Sequence, residues 1–268
     1  MKKKTRLLPL LLLFSLLLGL CGCGGDDSQP YRIIEKLGTV QYGTVFRAGD
    51  RAAEPVIAAV RVLAANGRLA ELSNGWLGSD IICLKGDAAA LDDIRPTLEA
   101  RTLIVGVEES FCPIAYESDG EYIGLAVDMA KAVGELLGWE IRIQPISGTE
   151  LSAQLASGNI DCALGFAVEG LSADSFTVGD CFMQSEVVLA VPRDSKIRSV
   201  RGLKGLKIGS VKSSAAIEAA VNDEKCARYA QAVTAYLSPV RCLNALELGW
   251  CAAVCMDSIM LRSYYTAG

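Results

Sequence analysis

Histidine is absent from all 268 residues of the sequence. Its absence removes the commonest general base, the commonest zinc ligand and every Ser-His or Cys-His nucleophile arrangement. No C-x-x-C pair occurs among the ten cysteines, so the usual dithiol redox and zinc-ribbon spacings are missing too. A surplus of positive charge is also lacking. The formal net charge is −5 over the whole chain, and no basic patch for nucleic acid stands out. With no catalytic residue, cofactor or metal site indicated, the expectation is a protein that does no bond chemistry.

Long apolar runs are scarce as well. The longest, Leu7 to Leu20, follows Lys2, Lys3, Lys4 and Arg6. At 14 residues it is too short to span a bilayer and suits a secretory signal. After it, Leu20-Cys21-Gly22-Cys23 resembles a lipobox, with Leu three before and small Gly one before Cys23. The expectation is a signal peptide over 1–22, lipidation at Cys23 and a polar tether over 23–30. The working domain is then held on the extracytoplasmic face of the cell membrane. Without residues 1–22, 22 Lys and Arg stand against 31 Asp and Glu, a net charge of −9. The eight cysteines beyond the lipobox sit in a setting that permits disulfides, but spacing does not fix any pairing. Cys251 and Cys255, four apart on an expected strand, are separated by roughly 13 Å and cannot bond each other.

From Thr102 onward, strand-like and helix-like segments alternate, which predicts an α/β fold with largely parallel strands. Leu103 to Val107 is a short apolar run. Met129, Val133 and Leu136 share a helical face that ends at Gly138, and Ile141 and Ile143 alternate with polar residues as in a strand. Ser147-Gly148-Thr149-Glu150 is a capping box opening a helix that Gly158 stops. Phe182 to Val191 is extended, and a second βαβ unit begins at Leu206 to Val211.

Several segments resemble the family 3 extracellular solute-binding proteins of polar amino-acid ABC importers. Leu103-Ile104-Val105-Gly106-Val107, followed by Gly124-Leu125-Ala126-Val127-Asp128-Met129-Ala130-Lys131, looks like that family's beginning. Ile34-Glu35-Lys36-Leu37-Gly38-Thr39-Val40-Gln41-Tyr42-Gly43, with Asn66-Gly67-Arg68-Leu69-Ala70-Glu71-Leu72 and Trp76-Leu77-Gly78, looks like its ending, yet precedes the beginning. The resemblance implies a periplasmic-binding-protein type II fold: two βαβ lobes joined by a two-strand hinge, with the usual C-terminal segment moved to the N-terminus. Circular permutation competes with gene fusion and with a swapped tail. The implied boundaries are 31–42 for a strand of lobe 2 plus a hinge crossing, and 43–187 for lobe 1, with a new join near 79–101. Residues 188–268 then form the return crossing and lobe 2. The helix after Asp50 presents Val56, Ile57, Val60 and Leu63 on one face.

For the ligand, the resemblance implies an aromatic wall, acids for an ammonium, and an arginine plus a helix N-terminus for a carboxylate. Glu108 and Asp257 fall at the acid positions, and Phe111 where an aromatic stacks. Tyr116, Phe166 and Glu169 are further wall candidates. Lys212, Ser213 and Ser214 lie before a helix, where backbone N–H groups and the positive dipole end favour an anion; plain N-capping by Ser213 or Ser214 is the alternative, and both readings can hold together. The family's arginine has no counterpart: no Lys or Arg occurs from Ile143 to Pro192, a stretch containing six acids. The second stacking aromatic is also missing, with Gly148 near its place.

The implied function is capture of an amino acid or related small amine by a monomer that delivers it to an ABC transporter permease. The alternatives are a non-transport sensor or a degenerate relative that has lost amino-acid binding. A secreted dehydratase on the same fold is a further alternative, with Glu169 the obvious acid in the relevant loop.

Overall fold

The computed structural model describes residues 29–212 and 214–266. The signal peptide, Cys23 and most of the tether lie outside the described residues, as does Ser213. The described chain opens with β1 (Tyr31–Arg47), a single strand of 17 residues. The sequence reading takes 31–42 as two parts, a strand of lobe 2 and a hinge crossing. Instead the ladder absorbs Gly38 through register shifts at Ile33/Glu35 and Lys36/Gly38, and the strand runs on.

Two helices follow, α1 (Ala53–Ala65) and α2 (Arg68–Leu77). Val56, Val60 and Leu63 of α1 are buried, as their spacing predicts, and Ile57 is partly buried. A long connection leads to β2 (Thr102–Glu108), the short strands β3 (Ser110–Phe111), β4 (Ala115–Ser118) and β5 (Glu121–Ile123), and α3 (Leu125–Leu137). Gly124 precedes α3 with φ +130°, and a Cβ there would sit 2.5 Å from the Ile114 carbonyl oxygen, so only glycine fits this entry. The Trp76 indole N–H donates to Asp128 across 2.9 Å and ties α2 to α3. Next come β6 (Glu140–Ile146) and α4 (Leu151–Ser157). The predicted capping box is present, although its first turn is 3-10 rather than α, and Gly158 ends α4 in the left-handed conformation.

The chain continues through β7 (Cys162–Ala167), β8 (Phe176–Val178) and the long β9 (Met183–Pro192), then β10 (Lys207–Val211). It closes with α5 (Ala215–Asn222), α6 (Glu224–Tyr229), β11 (Ala232–Tyr236), α7 (Pro239–Glu247), β12 (Ala253–Asp257) and α8 (Ser258–Thr266). Cys251 lies before β12 rather than on it, so the expected same-strand relation to Cys255 does not hold.

One sheet runs through the molecule in the order β11-β10-β12-β9-β1-β7-β2-β6, with β8 also on β1. β11-β10-β12 and β7-β2-β6 are each parallel. Between them β1 and β9 pair antiparallel from Tyr31↔Pro192 to Tyr42↔Met183. One end of this pair borders β12 and the other borders β7. These are two βαβ lobes joined by two antiparallel strands, as the resemblance implies. A connection between parallel strands needs a covering helix, so helices flank both parallel sets and an apolar core fills in beneath them.

Candidate functional site

Parallel strands in a set deliver their carboxyl ends to one edge, and in open α/β sheets that edge is where a crevice forms. Here β2 ends at Glu108, β7 at Ala167, β10 at Val211 and β12 at Asp257. All four residues line one cavity of about 310 Å³ between the lobes, within the range of small-ligand pockets.

Of the sequence-predicted residues, Glu108, Phe111, Phe166, Glu169, Lys212, Ser214 and Asp257 line this cavity. Tyr116 does not. It is paired on β4 with Ser110 and Ile123, and its ring meets Trp76 edge-on at 6.4 Å. The short β3–β4–β5 sheet turns Tyr116 toward Trp76 of α2 instead of the cavity wall expected for it. Phe166 belongs to the core cluster around Val45 and Leu155 and presents to the cavity as well.

Asp257 is buried, and both its oxygens are engaged. The Tyr42 hydroxyl donates to Oδ2 at 2.6 Å and the Ser185 hydroxyl to Oδ1 at 2.8 Å. The backbone N–H groups of Ile259 and Met260 donate to Oδ1 at 2.7 and 3.4 Å. The last two contacts make Asp257 the N-cap of α8. Three donors converge on Oδ1 but only one on Oδ2, so a carboxylate with about four acceptor positions keeps its remaining capacity on Oδ2. Burial pushes the acid above its usual range, against the opposing pull of these four donors. Tyr42 is raised further from its ordinary value, by burial first and then by Asp257, with smaller contributions from Glu169 and Glu108. It therefore stays a protonated donor. Its ring also tilts against Phe111, with centroids 5.5 Å apart.

Glu108 faces this group from the other lobe. The Gly148 N–H donates to its Oε1 at 3.3 Å. Burial lifts its carboxyl to about 7; the Gly148 bond opposes the shift and Glu109 adds to it. A Cβ on Gly148 would stand 3.1 Å from Glu108 Oε2. Gly148, near the place of the expected second aromatic, thus brings bare backbone against an acid. Glu169 accepts from the Gln41 N–H, which fixes its loop to β1. Ser214 caps α5: its hydroxyl oxygen accepts from the Ile217 N–H at 3.3 Å and its own proton goes to the Val211 carbonyl at 2.7 Å. Ala215 and Ala216, in the first turn where N–H groups lack intrahelical acceptors, line the cavity beside Lys212.

Sequence reasoning missed Tyr42, Ser185, Glu109 and Glu218. Among the described residues lining the cavity, five acids (Glu108, Glu109, Glu169, Glu218 and Asp257) face one cation, Lys212.

The family model of bacterial extracellular solute-binding proteins, family 3, matches residues 103–239, just over half of the chain. The arginine-binding extracellular protein ArtP of Bacillus subtilis (strain 168) is 26% identical over 110 residues. That match covers 41% of this chain and only 43% of the relative. An ABC uptake transporter substrate-binding protein from Streptococcus pneumoniae, solved with bound histidine, aligns with TM-score 0.58 at 22% identity, covering 66% of this chain and 72% of that one. Holo ArgBP from T. maritima aligns at 0.52 and 22%, over 66% and 76%. The ancestral amino acid-binding protein AncCDT-1, a precursor of cyclohexadienyl dehydratase, aligns at 0.51 and 20%, over 66% and 77%. At these identities the solved structures speak for the fold, which is the periplasmic-binding-protein type II fold. The chain belongs to the bacterial extracellular solute-binding proteins of family 3.

Proposed function

We propose that this protein captures a small cationic nitrogen compound, an amino acid or related amine, in the cleft between its lobes and presents it to the permease of an ABC importer. One observation carries the reading: Glu108 and Asp257, two low-exposure acids from opposite lobes, border the same cavity, and five acids outnumber the single lysine there. A buried cation must be paired, and a protonated amine between two carboxylates meets that requirement. Phe111 and Phe166 supply apolar walls. Lys212 and the first turn of α5 supply a weaker anion site than a bidentate arginine, so the carboxylate of an amino acid contributes less here than its amine.

The crossing strands β1 and β9 act as the hinge, and closure is driven by the ligand's preference for the closed form. The protein works as a monomer held by a lipid on Cys23 at the extracytoplasmic face of the membrane. Its order is a circular permutation in which β1, α1 and α2 form the displaced ending. Support comes from the family match, which begins only at residue 103, and from β1, which pairs with strands of both lobes. Glu169 has a hydrogen bond to β1, which favours a structural acid over a dehydratase's proton donor. A second reading, a sensor or degenerate relative, draws on Gly148 and on the missing arginine.

Thermal unfolding against amino acids, decarboxylated amines and polyamines tests the proposal. A ligand at 100 to 1,000 times its Kd adds about 2.7 to 4.1 kcal/mol, or roughly 5 to 16 °C for a domain of this size. The expected result is such a shift with a cationic compound. A cooperative transition that no compound moves contradicts capture and favours the degenerate relative.

A further inference from the structure

The connection from α2 to β2, residues 78–101, forms no helix or strand longer than a single 3-10 turn, yet it is fastened near its start. Ile82 bridges Met183 in antiparallel fashion, and the Cys83 N–H donates to the Phe182 carbonyl at 2.9 Å. Cys83 is thereby opposite Phe182, one residue from Cys181. The Sγ atoms of Cys83 and Cys181 stand 3.6 Å apart. An inter-strand spacing of roughly 4.8 Å combined with one residue's rise of roughly 3.4 Å puts such diagonal Cα atoms about 6 Å apart. That is within the usual disulfide range, and with the two sulfurs already facing one another ~1.5 Å remains to be closed. Of the other cysteines among the described residues, Cys162, Cys226, Cys242, Cys251 and Cys255 are buried and Cys112 is half-buried, whereas Cys83 is exposed.

We propose that Cys83 and Cys181 form a disulfide in the exported protein, pinning the α2–β2 connection to the segment that enters β9. Proteins of an extracellular family mature in oxidising surroundings, where such a pair persists. The oxidant is the disulfide of a thiol oxidase or of oxidised glutathione. Cys83, the exposed partner, attacks as thiolate and one donor sulfur leaves. Cys181 then attacks the Cys83 sulfur and expels the donor's second sulfur. Two thiol protons and two electrons pass to the donor, which ends as two thiols. The bond closes a loop spanning 98 positions, a length at which constraining the unfolded chain has a large effect. Both cysteines lie at the Tyr42–Met183 end of the crossing strands, so the bond does not bridge the cleft.

The test uses the exported full chain, oxidised in a glutathione buffer and mapped by mass spectrometry without reduction. The expected result is a cross-linked peptide pair joining Cys83 to Cys181, lighter by two hydrogens than the sum of its reduced peptides. Separate alkylation of both thiols in the unreduced protein, or a cross-link to any other cysteine, overturns the proposal. Unfolding of C83S, C181S and the double variant provides the second readout. Each lowers the unfolding temperature of the oxidised protein by the same amount, about 4 to 16 °C, as does reducing the wild type. Additive losses from the two single variants contradict a shared bond.

Discussion

Glu108→Gln raises the unfolding temperature of the ligand-free protein at pH 8 and changes it little at pH 5. The folded-state carboxyl titrates at about 7, against 4.5 for its ordinary value, with burial as the main cause. Because the folded pKa is raised, the native state binds more protons than the unfolded chain between these values. Stability therefore falls as pH rises from about 4.5 to 7, by about 3 kcal/mol in total. Above pH 7 the ionised acid sits in a desolvated place with a single backbone N–H for company, and Gln removes that charge. The gain at pH 8 corresponds to roughly 6–12 °C. The same proton links to capture. A cationic ligand pairs with the ionised acid, so its affinity rises about tenfold per pH unit below 7 and levels off above. Binding at pH 6 releases close to one proton. Calorimetry in buffers of different ionisation enthalpy measures that release, and Glu108→Gln abolishes it. Identical melting curves for wild type and variant at pH 8 contradict the placement of Glu108 in a desolvated pocket.

Asp257 separates stability from binding in a different way. Asp257→Ala leaves the buried Tyr42 hydroxyl without its acceptor and strips the cap from α8, while the Ser185 hydroxyl keeps Ser258 Oγ at 3.1 Å as a partner. Loss of a cap costs about 1 kcal/mol and the one orphaned buried donor about 1 kcal/mol or more. The sum is about 2 kcal/mol, or roughly 4–8 °C. Asp257→Asn keeps a carbonyl oxygen for Ile259 and Ser185 while its amide faces the Tyr42 hydroxyl, which can turn to accept. Its stability loss is about 1 kcal/mol, yet it removes the charge that pairs with a ligand amine. Both variants weaken cation binding by about tenfold or more, since each leaves the ligand charge short of a partner. Unfolding curves and titrations of the two side by side test this. An Asn variant that binds as tightly as wild type assigns Asp257 to capping alone.

Local periodicity makes the strands legible, but the positions of Glu108, Phe111 and Asp257 at the cavity are legible only through the family resemblance, which implies an acid after the first strand, a stacking aromatic and a second-lobe acid. The sequence reading gives Asp257 no capping role, although an acid immediately before Ser258 and the apolar run Ile259-Met260-Leu261 is a capping signal. Tyr42 was not legible. Its strand carries three register shifts, two against β9 and one against β7, so period-2 alternation fails along β1 and cannot say which face an aromatic takes. Only the placement of β1 between β9 and β7 brings Tyr42 to Asp257, across 215 positions of sequence. Gly148 could be seen as a missing aromatic, but a backbone N–H that holds the facing acid has no signature in residue identity. Tyr116 went astray because β3, β4 and β5 are two to four residues long, too short for any periodicity to orient a side chain.

The central claim is that an acid-lined cleft selects a cationic solute. Calorimetric titration of the wild-type protein at pH 7.5 with arginine, its decarboxylated counterpart agmatine, and glutamate tests it most directly. The expected result is saturable binding of a cation, agmatine retaining the affinity of arginine within about tenfold, and no binding of glutamate. Glutamate bound as tightly as the cations, or heat from none of the three together with no shift across the wider panel, contradicts it.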